Sequence, residues 1–224
     1  MIAAPARPAT GEPAFRAVVY DLDGTLVDSR GDLADSVNEM LARMDLPRHQ
    51  DAVVWSFVGD GAERLIRRAL GPAHQHRYAE AAPLWQEAYG ARLLRKTRLY
   101  PGVAGLLELP PSRRAVLTNK PGDFARTIVE GLGIGSAFAQ VVGGDEGPRK
   151  PDPVNLMRIC AALGASKEET LLVGDSPVDI ATGRAAGVRV CAVSWGFGER
   201  ASLVSADFVC DTAGELASLL QLRA

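Results

Sequence analysis

Histidine, cysteine and aromatic side chains are scarce in this chain: 3 histidines, 3 cysteines and 6% aromatic residues among 224. Cys160, Cys191 and Cys210 are odd in number and lie far apart among apolar neighbours. That pattern argues against a disulfide framework and reads as small core residues in a reducing cytoplasm, not as metal ligands or nucleophiles. His74 and His76 follow a Gly71-Pro72 break and read as solvated loop residues, not as acid-base groups. Trp55, Trp85 and Trp195 read as packing residues between helices or beneath loops. Charge of one sign is lacking too: with a formal net charge of −2, neither nucleic acid nor an anionic membrane is expected as a partner. No apolar run approaches the roughly 20 residues that cross a bilayer. The stretch Met1 to Glu12 is rich in Ala and Pro and has no basic cluster followed by an apolar run. It reads as a flexible tail, not a signal peptide, which makes the expected location cytoplasmic. Internal repeats and low-complexity segments are absent as well.

What the chain does have is apolar residues, 47% of the total, enough for one large domain or one domain with a smaller insert. Phe15-Arg16-Ala17-Val18-Val19-Tyr20 reads as a buried strand and runs straight into Asp21-Leu22-Asp23-Gly24-Thr25-Leu26. In open α/β sheets the ligand crevice lies past the carboxyl ends of the strands. Two acids placed there repel and perturb one another unless a divalent cation absorbs their charge, so the pair points to metal-assisted chemistry on an anion. A calcium loop is the rival, because Asp21, Asp23 and Asp32 fall at its first, third and twelfth places. It fails on Leu26 at the sixth place, where glycine is needed, and on a strand where a helix should lead in.

Past Ser29 the pattern becomes helical. Leu33, Val37, Met40, Leu41 and Met44 share one face; a second stretch runs from Gly61 to Gly71-Pro72, and a third from His76 to about Leu94. Beyond Tyr100-Pro101-Gly102, strands are expected at Ala115 to Leu117, Ala139 to Val142, Thr170 to Val173, Val188 to Val193 and Asp207 to Val209. Helices are expected between them at about Asp123 to Gly131, Pro153 to Leu163, Val178 to Ala186 and Ala213 to Leu220. Alternating strand and helix makes this an α/β protein with a doubly wound parallel sheet, and the all-helical insert after the first strand is placed to be a lid. Gly131-Leu132-Gly133-Ile134-Gly135 imitates a dinucleotide fingerprint but follows a helix, so it reads as a helix stop.

Later strands also finish in polar clusters. Thr118-Asn119-Lys120 offers a hydroxyl and backbone amides for phosphate oxygens, though such a triplet is also ordinary turn chemistry. Lys150, before Pro151-Asp152-Pro153, can balance carboxylates and bind a phosphoryl oxygen, or be a solvated loop lysine. In Gly174-Asp175-Ser176-Pro177-Val178-Asp179, Asp175 suits a metal and Asp179 a second ligand or an orienting group. Ser176 and Asp179 serve equally well as the cap and first turn of a helix.

Taken in order, Asp21-Leu22-Asp23-Gly24-Thr25-Leu26-Val27-Asp28-Ser29, Thr118-Asn119, Lys150-Pro151-Asp152-Pro153 and Gly174-Asp175-Ser176 with Asp179 resemble the four motifs of the haloacid dehalogenase superfamily. The resemblance covers nearly all the chain after its start. It is nearest to the phosphoglycolate phosphatase family, through Val58-Gly59-Asp60-Gly61-Ala62, Leu65 to Leu70, Leu99 to Val103, Val142 to Asp145 and Val193 to Phe197. Leu109 to Arg114 is shorter than that family's usual connection. The resemblance implies a tail over 1–14, a Rossmann-like catalytic core over 15–28 and 98–224, and a helical cap over 29–97. It also implies a Mg²⁺-dependent phosphatase of a small phosphorylated metabolite, foremost 2-phosphoglycolate, working as a monomer or homodimer. Asp21 would be the nucleophile that becomes an aspartyl-phosphate and Asp23 the acid and base. Asp21, the Asp23 backbone carbonyl and Asp175 would hold Mg²⁺, with Asp179 behind them. Thr118, Asn119 and Lys150 would hold the phosphoryl oxygens. Substrate choice would lie in the cap, at Gly59, Asp60 and Gly61 and at Arg64, Arg67 or Arg68, although Arg67 and Arg68 on a cap helix read first as surface residues. Another sugar or small-metabolite phosphate, a phosphosugar mutase and a catalytically silent binding module are the alternatives.

Overall fold

The computed structural model describes residues 15–108 and 110–221. The expected tail at 1–14 and Leu109 lie outside the described residues. The strands are β1 (Ala17–Tyr20), β2 (Val27–Asp28), β3 (Arg98–Leu99), β4 (Arg114–Leu117), β5 (Gln140–Val142), β6 (Thr170–Gly174), β7 (Arg189–Val193) and β8 (Phe208–Cys210). The helices are α1 (Arg30–Arg43), α2 (Asp51–Trp55), α3 (Ala62–His74), α4 (Tyr78–Gly90), α5 (Val103–Leu106), α6 (Gly122–Gly131), α7 (Val154–Ala162), α8 (Pro177–Ala186) and α9 (Ala213–Leu219).

Six strands form one sheet in the order β5-β4-β1-β6-β7-β8, and every pairing in it is parallel. All four residues of β1 are buried because the strand is central and both faces of the sheet are covered. Side chains alternate cleanly between them: Val18, Tyr20, Val116, Leu171 and Val173 enter one apolar cluster, Val19, Ala115, Leu117 and Leu172 the other. The chain moves outward from β1 through β4 to β5 and then returns to the other side of β1 as β6. The carboxyl ends of β4, β1 and β6 therefore lie side by side, which is where a ligand crevice opens in such sheets.

Helices α1 to α4 leave the core after β2 and return at β3, and these two short strands pair antiparallel through Val27–Leu99 and Asp28–Arg98. The apolar cluster on that face of the sheet runs on through Leu22, Leu26 and Val27 into Leu33, Val37, Met40, Trp85 and Tyr89 of the insert. The expected strands and long helices are present with their ends moved by a few residues. Two helices, α2 and α5, have 5 and 4 residues, too few to show a periodic apolar face in sequence. The second insert helix continues past Gly71 to His74, with Gly71 at φ 64 as a kink, and a 3₁₀ turn at Gln75–Arg77 leads into α4, which ends at Gly90 instead of Leu94. All three cysteines are free and buried. Among the described residues no helix is long and apolar enough to cross a membrane.

Candidate active site

Asp21 follows β1 directly and is buried, at 8% exposure. Its Oδ1 accepts hydrogen bonds from the Leu22 amide at 2.7 Å and lies 2.9 Å from Lys150 Nζ. Lys150, reached from the loop before α7, also donates to Asp179 Oδ1 at 2.6 Å. Asp179 is in turn fixed by a capping box at the start of α8, where Ser176 Oγ donates to its Oδ2 at 2.6 Å. The helix-cap reading of Ser176 and Asp179 and the site reading thus describe one arrangement. The same carboxylate that starts α8 aims Lys150 at Asp21.

Asp175, at the end of β6, accepts a hydrogen bond from the Phe197 amide at 2.7 Å and one from Thr25 Oγ1 at 3.4 Å. The loop beyond β1 can approach this closely because Gly24 takes φ +85 and carries no side chain. A Cβ there would overlap the Asp175 carboxylate. Oxygens of Asp21, Asp175 and Asp179 all lie within 4.8 Å of one another. Burial pushes the Asp21 carboxyl up to about 6 despite the lowering effect of Lys150. Burial, followed by the charges of Asp179 and Asp21, pushes Asp175 up to about 8. With all four carboxyls ionised, Asp21, Asp23, Asp175 and Asp179 would outnumber Lys120 and Lys150 by two negative charges in a largely enclosed site. The donor set suits one hard divalent cation held by oxygen ligands.

The Asp23 carboxylate is not part of that group. Its Oδ1 accepts from Ser29 Oγ at 2.5 Å and its Oδ2 lies 3.0 Å from Lys120 Nζ, so any share Asp23 takes in holding a cation falls to its backbone carbonyl. Thr118 and Asn119 stand at the end of β4, both nearly enclosed. Thr118 lines the cleft beside Asp21 and Asp23, and its Oγ1 accepts from the Lys120 amide at 3.2 Å. The Asn119 side-chain amide donates to the carbonyls of Lys150 at 3.1 Å and Gly59 at 3.2 Å, tying the core to the insert.

This sheet order, with acids at the ends of β1 and β6 and a lysine between them, can be compared with known proteins. The model of the haloacid dehalogenase-like hydrolases matches residues 18–193. The chain belongs to this family. A phosphoglycolate phosphatase of Chromobacterium violaceum is 38% identical over 219 residues, 92% of this chain and 97% of that protein. One from Rhodospirillum rubrum is 40% identical over 194 residues, 81% of this chain and 80% of its own. The crystal structure of a predicted phosphoglycolate phosphatase from Haemophilus somnus 129pt superposes with a TM-score of 0.85 at 30% identity, covering 92% of this chain and 98% of the other.

Over the Asp21–Asp23 edge of this hydrolase, the insert contributes a mostly apolar wall of Leu33, Val58, Ala62, Leu65 and Trp85, with Gly59 and Gly61 at the turn. Asp60 and Arg68 line the wider mouth, where they form an ion pair. Arg64 and Arg67 do not reach the cleft. Helix α3 turns Leu65, Ile66, Ala69 and Leu70 inward, so Arg64 pairs outside with Asp60 at 3.2 Å and Arg67 with Glu63 at 2.9 Å. The cation that does line the apolar pocket is Lys120, which sequence reasoning passed over as part of a turn. Ser29, Phe197 and Tyr89 enter the site through contacts between positions 6 to 31 residues apart, so their roles follow from the fold.

Proposed function

We propose that this hydrolase is a phosphatase of small phosphomonoesters, 2-phosphoglycolate foremost, acting from a catalytic core over 15–28 and 98–224 beneath a cap over 29–97. The observation that carries the reading is the Asp21 carboxylate, buried at the end of β1 and flanked by the Lys150 ammonium and the Asp175–Asp179 oxygens. Relatives that share most of this chain's length bear the name phosphoglycolate phosphatase, which supports the choice of ester. Mg²⁺, held by Asp21, Asp175 and the backbone carbonyl of Asp23, would neutralise charge on the phosphoryl oxygens.

Asp21 attacks phosphorus in line; its new O–P bond forms as the bond to the leaving oxygen breaks, giving an aspartyl-phosphate. Asp23 supplies the proton that the leaving alkoxide takes up, then receives one from the water that hydrolyses the acyl-phosphate. Thr118, the Asn119 amide and Lys150 hold phosphoryl oxygens as charge spreads over them. A wall of apolar cap residues around Asp23 leaves room for a small leaving group, and no arginine lines that pocket. Three buried free cysteines accord with a reducing, cytoplasmic setting.

The test is phosphate release from a panel of phosphorylated small acids, sugars and nucleotides by wild type and Asp21→Asn, with and without Mg²⁺. The expected result is turnover strongest on 2-phosphoglycolate, dependent on the cation and abolished by the substitution. Undiminished turnover by Asp21→Asn would overturn the nucleophile assignment, and isomerised sugar phosphates without released phosphate would indicate a mutase.

A further inference from the structure

Lys120 performs none of these steps, yet it is one of the most enclosed charges in the molecule, with a side chain 4% exposed. Its Nζ lies 3.0 Å from Asp23 Oδ2, donates to the Tyr89 hydroxyl at 2.6 Å and sits 4.5 Å from the centre of the Tyr89 ring. Burial works against the ammonium, but Asp23 and Tyr89 together more than offset it and hold the group charged. Tyr89 comes from the opposite side of the cleft, on α4 of the insert, and is fully buried. It stacks on Trp85 at 5.1 Å and meets the edge of Phe124 in α6 at 5.3 Å. Lys120 therefore joins the end of β4, the loop after β1 and the insert at one atom.

Asp23 is gripped from two sides, by Lys120 on Oδ2 and by Ser29 Oγ on Oδ1 at 2.5 Å. One donor on each oxygen fixes both the direction and the plane of a carboxyl group, which a single donor does not. Resting on the phosphatase reading, we infer that Lys120 is the positioning residue for Asp23 and that Tyr89 completes its grip when the insert is seated on the core. The proton that leaves Asp23 bonds to the leaving oxygen as the P–O bond breaks and the Asp21 O–P bond forms. Proton delivery is then ready only beneath a seated cap, where water is excluded.

The experiment compares kcat/KM, which reports transfer to Asp21 and not the shared hydrolysis of the intermediate. It uses three small esters: 2-phosphoglycolate, ethyl phosphate and acetyl phosphate. The first two expel alkoxides that need a proton; acetate leaves without one. For Lys120→Met the expected loss is about 100-fold on both alkyl esters, the scale of general acid catalysis, and far less on acetyl phosphate. Tyr89→Phe, which keeps the ring and its packing, should show the same pattern at smaller size. Equal losses on all three esters would overturn the inference in favour of a structural role. A loss confined to 2-phosphoglycolate would overturn it too, by making Lys120 a contact to the substrate carboxylate. If wild type hydrolyses none of the three, the phosphatase reading itself fails.

Discussion

Asp21 and Asp175 sit where folding makes ionisation hard, and that has a measurable consequence. Both carboxyls are held above their unfolded values, to about 6 for Asp21 and about 8 for Asp175. The stability they contribute is complete below about pH 4 and is lost as pH rises through those two values. A divalent cation needs both groups ionised, so its stabilising effect grows over the same window. Thermal melts with Mg²⁺ and with a chelator should therefore separate more at about pH 9 than at about pH 5, and Asp175→Asn should shrink the gap. A gap of constant size across that range would contradict the assignment of these carboxylates to a cation. The acids were legible as residues because each closes a strand-like run. Lys120 was not, since a lysine after Thr118-Asn119 looks like any turn lysine until Tyr89, 31 residues earlier, is brought against it.

Among the elements, the parallel strands were the easiest to read, because burial on both faces makes them short continuous apolar runs between turn signals. The short helices α2 and α5 were hidden because 5 and 4 residues do not span enough turns for a periodic face. Helix α8 matters most for the site, since its first turn also holds the partner of Lys150. Ser176 caps it and gives its hydroxyl hydrogen to Asp179. Ser176→Ala should cost about 1 kcal/mol of stability, seen as a lower urea midpoint at unchanged slope. It should also lower kcat, because Asp179 loses the contact that aims it at Lys150. Normal activity in a variant measurably destabilised would separate the cap from the catalytic arrangement.

At the scale of the whole molecule, the β2–β3 ladder closes the base of the insert, and an uninterrupted apolar cluster joins insert to core, with polar contacts at the cleft among the described residues. One such contact is Lys120 to Tyr89; another runs from the Asn119 side chain to the Gly59 carbonyl at 3.2 Å. Asn119→Ala should let the 57–62 turn open more often, so that its amides exchange hydrogen several-fold faster while those of β1 and β6 do not change. Unchanged exchange in that turn would show that the apolar contacts alone keep the insert seated. The amino-acid sequence by itself determined the alternation of strands and helices and the acids at the strand ends, because period, β-branching and turn chemistry are local properties. The direction of the α3 arginines, the two-sided grip on Asp23 and the union of cap and core at Lys120 were decided only by tertiary structure. Each depends on which faces of distant segments meet, and burial makes those meetings worth more than any neighbour in sequence.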